Sequence, residues 1–218
     1  MPPAAAQPKP QPPPVPKSRT SPDKNRPSTP SAASEEKWYK VFVPEFDRVS
    51  PDPLEEHIKR FHVGIFIEKD PESGIGDFFH VTGDLMMRNG MSYETKTNWD
   101  ARNSRQFVKM TQLGWIHETD SSFSTIDSIL RKVDRPARQQ GINFELKDET
   151  WNRVVWIEED GRPSPNNIPT RQIRKCNEWV WDAEEALDKA GILKWRREVD
   201  QSDKSTRRPL GLILKAEN

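Results

Sequence analysis

The stretch FHVGIFIEKDPESGIGDFFHVTG, residues 61–83, decides the fold. Two runs rich in aromatic and β-branched residues flank a segment of Asp, Pro, Ser and Gly, the composition of two antiparallel strands around a turn. Residues paired across a hairpin have numbers of constant sum, and successive side chains alternate between faces. A turn centred near Ser73 gives a sum near 146, and one centred on Glu72 gives 144. Both sums are even, so either register sets His62 and His80 on one face. With 144, His80 faces Gly64 and lies diagonal to His62, at about 7–8 Å. Gly64 leaves that face uncrowded beside His62.

Working outward, WYKVFVPEF (38–46) reads as a strand, and SPDPLEEHIKRF (50–61), with its Asp52-Pro53 start and acidic first turn, as a short helix with His57 on its surface. MSYETKT (91–97) and QFVKMTQLGWIHE (106–118) alternate enough to be strands, joined by a polar loop, NWDARNSR (98–105). In TDSSFSTIDSILRKV (119–133), Phe123, Ile126, Ile129, Leu130 and Val133 recur at helical spacing behind a capping Thr or Asp. A short strand is expected near WNRVVWIE (151–158), inside a proline-bearing stretch. Thr170 opens the strongest helix, in which Ile173, Cys176, Trp179, Val180, Ala183, Leu187 and Ala190 form an apolar stripe and Gly191 suits the C-cap. LGLILK (210–215) reads as an edge strand or a loose end. There is no internal repeat. This order predicts an α+β domain: an antiparallel sheet of four to six strands packed against the helix that bears Cys176.

Composition bounds the rest. Eleven of the twenty prolines precede Ser31, and such a segment buries too little apolar surface to offset its ordering entropy. Residues 1–35 are therefore expected to be a disordered tail, 36–195 the folded domain, and 196–218 a polar C-terminal tail. The tail offers Ser21-Pro22 and Thr29-Pro30 to proline-directed kinases, and its polyproline character to SH3- or WW-type partners. The formal net charge of zero gives no electrostatic reason to expect nucleic acid. No apolar run of spanning length and no N-terminal apolar core argue for a membrane span or secretion. A single cysteine excludes an internal disulfide and suits a reducing compartment, cytoplasm or nucleus. One Cys and four scattered His lack zinc spacing, and ESGIGDFFH leads into a strand where a phosphate loop would lead into a helix. Neither a cofactor nor a metal is expected.

Chemistry, if present, rests on Cys176. A thiol nucleophile needs a base to take its proton and a third polar group to fix that base, and a helix N-terminus favours the thiolate. A lone cysteine on an apolar helix stripe is otherwise a small buried hydrophobe, so the bland reading stands beside the catalytic one.

The order HVGIFIE, FHVTG, CNEWV resembles the circularly permuted branch of the papain-like superfamily, which includes the lecithin retinol acyltransferase-like and NlpC-like proteins. The chain also resembles a group of fungal proteins that share H-x-G-I-F, F-H-V-T-G, Y-E-T-K, L-G-W and C-x-E-W. The resemblance covers about residues 58–193. It implies a permuted papain-like fold, with Cys176 as nucleophile, His62 as general base, His80 as the group that orients it, and the Cys176 N–H in an oxyanion hole. The implied activity is that of a thiol hydrolase or acyltransferase acting on an ester, amide or isopeptide. Lys175 departs from the pattern, standing where the superfamily has Asn. The alternative is a non-catalytic binding or scaffold domain of the same fold, with the proline-rich tail recruiting partners.

Overall fold

A computed structural model describes residues 36–48, 52–55, 58–145 and 153–195, and the backbone of 212–214. The expectations for the N-terminal tail, for His57, for residues 151–152 and for the C-terminal tail apart from 212–214 lie outside the described residues; within LGLILK, Leu212–Leu214 is a strand. The strands are β1 Trp38–Phe46, β2 Ile58–Arg60, β3 His62–Val63, β4 Ile65–Asp70, β5 Ile75–Thr82, β6 Ser92–Asp100, β7 Phe107–His117, β8 Gln140–Ile142, β9 Val154–Trp156, β10 Leu193–Trp195 and β11 Leu212–Leu214. The helices are α1 Phe123–Leu130 and α2 Cys176–Lys189.

Seven strands form one sheet in the order β10-β7-β1-β4-β5-β6, with β3 also paired to β1. Every pairing in it is antiparallel. The hairpin of β4 and β5 pairs Ile65 with Phe79, Phe66 with Phe78 and Ile67 with Asp77, which is the register of sum 144. Its turn is built by Asp70, whose carboxylate accepts the Glu72 N–H and the Ser73 hydroxyl while its carbonyl accepts the Gly74 N–H. Gly74 has φ +72°, a conformation that side chains oppose.

The middle of the sheet is buried on both faces, so β1, β4 and β5 read as nearly continuous apolar runs, whereas β6 and most of β7 stay partly exposed. On one face Val41, Val43, Val63, Ile65, Ile67, Phe79 and Val81 join Ile126 and Leu130 of α1 and Trp179, Val180, Ala183 and Leu187 of α2 in the main core. On the other, Phe46, Phe66 and Phe78 pack with Phe42, Trp99, Phe107 and Met110. Gly64 is required where β3 passes into β4: a Cβ there would stand 2.6 Å from Phe78 Cε2 and from the Phe79 carbonyl oxygen.

Four elements differ from the sequence reading, each for a local reason. The described part of 50–61 is no helix. Asp52 accepts the Leu54 N–H on its side chain and the Glu55 N–H on its carbonyl, closing a turn, and Ile58–Arg60 is a strand paired with β11. β6 runs on through Trp99 to Asp100 by way of a bulge at Asn98, φ +50°, before a short 3-10 turn, Ala101–Asn103, which Asp100 caps. α2 starts at Cys176 and not at Thr170. Gln139 holds the preceding segment extended, accepting the Arg174 N–H at 3.1 Å and donating to its carbonyl at 2.8 Å. Finally, the residues after Gly191 add β10 to the edge of β7, so the sheet has seven strands where four to six were expected.

Candidate functional site

β3 and β5 bring the two histidines together on the aromatic face. His62 Nε2 and His80 Nδ1 are 2.9 Å apart and share one hydrogen bond. His80 stacks on Phe78, with ring centroids 4.5 Å apart, and His62 packs against Phe46 and Phe78. His80 Nε2 is buried without a partner. Burial, aided by the positive charges of Arg48 and Lys96, lowers the His62 pKa to about 4. Burial first, then His62 and Lys96, lowers that of His80 to about 3. Both rings are therefore neutral at pH 7. When His62 Nε2–H is the donor, His62 Nδ1 keeps its lone pair, and Nδ1 has no hydrogen-bond partner among the described residues.

Cys176 is the first residue of α2, behind Lys175 at the N-cap. A lysine offers no acceptor to the first-turn N–H groups, so only the reciprocal half of a capping box is made, with Glu178 accepting the Lys175 N–H at 2.8 Å. The Cys176 thiol lies at the edge of β3, against Phe61 O at 3.7 Å and Asn177 Oδ1 at 3.8 Å. Burial raises its pKa, opposed by the Val63 N–H and by the charges of Arg48 and Arg60. No hydrogen bond joins the thiol to His62. Phe61 and Val63 flank His62 in sequence and face the helices, whereas His62 faces the aromatic cluster. The two groups meet at a narrow cleft of about 50 Å³, lined by both of them together with Arg48, Asp84, Leu85 and Met91.

Sequence reasoning missed what surrounds the thiol. The Lys175 ammonium is buried between the carboxylates of Asp52 and Glu55. Arg60 bridges Glu55 and Glu178 at 3.0 Å each, and Gln140 donates to Asp52. Lys175, which departs from the Asn of the resemblance, is thus the pivot of an ion network that ties Asp52, Glu55 and Arg60 to the first turn of α2. The only signal in the sequence is that departure, since charges in a polar segment otherwise read as solvated. Among the described residues no three His, Cys, Asp or Glu side chains are grouped to hold a metal, and no helix is long and apolar enough to cross a membrane.

No curated protein and no solved structure matches the chain. A family match does exist, and it spans residues 51–194, from the turn at Asp52 into β10, which takes in His62, His80, Lys175 and Cys176. That span is well over half of the chain, which therefore belongs to the family of unknown function DUF6540.

Proposed function

We propose that this domain is a permuted papain-like thiol enzyme, a hydrolase or acyltransferase acting on an ester, amide or isopeptide through Cys176. The observation that carries the reading is the 2.9 Å bond between His62 and His80. It uses one ring nitrogen of His62 and leaves the other for a cleft that Cys176 also lines. His62 is the general base and His80 the residue that orients it. As His62 Nδ1 takes the thiol proton, the bond from Nε2–H to His80 stabilises the imidazolium that forms. The first-turn N–H groups of α2, Cys176 among them, have no partner within the helix and supply an oxyanion hole. Because burial holds the thiol neutral, the proton leaves during attack and not in the resting state.

A second reading has its own support. The sealed sulfur, bonded toward the Phe61 carbonyl, suits a structural cysteine in a non-catalytic binding domain whose proline-rich tail recruits partners. Treatment of the folded chain with p-nitrophenyl acetate separates the two. The enzyme reading expects a burst of nitrophenolate and one acetyl group on Cys176 by mass spectrometry, with the burst rate at least about a hundredfold lower in His62→Ala. A thiol that is acetylated only in denaturant would overturn it.

A further inference from the structure

Resting on that reading, the cleft has a charge the mechanism does not use. Three cations surround the thiol. Lys175 is held by Asp52 and Glu55, and Arg60 by Glu55 and Glu178. Arg48 lines the cleft with Cys176 and His62, is exposed, and has no ion pair or hydrogen bond among the described residues. It is near enough that its charge bears on the thiol and on His62 alike. Of the two acidic residues in the lining, Asp84 commits Oδ1 to the N–H groups of Met86 and Met87, and Asp52 is committed to Lys175 and Gln140. A guanidinium that no described carboxylate pairs, in the lining of a narrow site, presents a planar fork of donors that fits a carboxylate in two bonds.

We propose that Arg48 is a specificity-determining residue, binding a carboxylate carried by the acyl group of the substrate, so that the preferred substrates are acidic acyl esters or amides. In the acylation step the Cys176 sulfur bonds to the carbonyl carbon and its proton passes to His62 Nδ1. The C–O or C–N bond then breaks, and the leaving group departs with the electron pair and takes the proton from His62. Arg48 holds the far carboxylate throughout and takes no part in bond making.

The experiment compares two aryl esters of similar length, mono-p-nitrophenyl glutarate and p-nitrophenyl valerate, on the full chain. The first carries a terminal carboxylate and the second a methyl. Rates are corrected for spontaneous hydrolysis. The wild type is expected to be acylated on Cys176 by the acidic ester about tenfold faster, and the ratio should fall toward one in Arg48→Gln and in high salt. The ratio cancels any change that loss of Arg48 makes to the thiol or to His62, which both esters share. Acylation by both esters at one rate in the wild type, or a ratio that survives Arg48→Gln, overturns the role of Arg48 and leaves the enzyme reading standing. Acylation by neither ester overturns the enzyme reading, and the specificity with it.

Discussion

His62 and His80 are two rings folded into a setting that opposes their charge, and this has a consequence for stability. Each has an ordinary pKa of 6.5, lowered in the fold to about 4 for His62 and about 3 for His80, in both cases chiefly by burial. As the pH falls below 6.5 the unfolded chain takes up protons at both positions while the native chain does not. Stability rises with pH wherever the unfolded state binds more protons. The contribution of the neutral pair is therefore whole above pH 6.5 and is lost progressively as the pH falls through about 4 for His62 and about 3 for His80. One pH unit per ring corresponds to about 1.4 kcal/mol, so the pair should cost the wild type at least about 2 kcal/mol between pH 7 and pH 5. Urea unfolding at both values, in the wild type and in the His62→Gln/His80→Phe double variant, measures it. The variant should lose markedly less stability on acidification, and an equal loss would mean that the rings titrate as they do in water.

At the scale of elements, the decisive contact is the N-terminus of α2 on the 52–60 segment. Lys175 is 4% exposed, and it neutralises Asp52, whose pKa stays low despite a burial that would raise it because Lys175 and Gln140 favour its charge. Lys175→Met keeps the volume but leaves the buried Asp52 carboxylate without its cation and Glu55 with Arg60 alone, at a cost of about 3–5 kcal/mol. The same change in an Asp52→Asn background should cost less, because one of those charges is already gone, and the coupling is read from a double-mutant cycle of unfolding free energies. Strictly additive losses would show that the network holds nothing together. The same contact explains what the sequence could and could not disclose. The β4–β5 hairpin was legible because its signals are local: Asp70 and Gly74 set the turn, and the register that follows brings the His62 and His80 rings onto one face. The start of α2 was not, because Gln139, more than thirty residues away, holds Arg174 extended. β2 was misread because Asp52-Pro53 opens a turn as readily as a helix, while the partner that makes Ile58–Arg60 a strand lies at Leu212–Leu214. Arg48 carried no pattern and Lys175 only its place where the resemblance has Asn, since tertiary packing alone distinguishes a charge at a thiol from one in water.

The described domain is built on a sheet whose middle is covered on both faces, with the candidate site at its end. β1 is bonded along one edge to β7 and along the other to β4 and β3, with core on both sides. β6 and β10 are the edges of that sheet, and the pairs β2–β11 and β8–β9 stand apart from it. Two-stranded pairs are marginal alone, so their amides should open locally, well below the free energy of global unfolding. Hydrogen exchange followed by mass spectrometry should give the slowest exchange in β1 and β4, intermediate rates in β6 and β10, and the fastest in Ile58–Arg60. The last has a functional edge. Arg60 of β2 bridges to Glu178 in the first turn of α2, so opening of β2 releases a brace beside Cys176. A chain ending after Trp195, which lacks β11, should exchange Ile58–Arg60 faster still and expose Cys176 to thiol reagents, while β1 keeps its protection. If β2 and β1 instead lose protection together, with one dependence on denaturant, the site would open only by global unfolding.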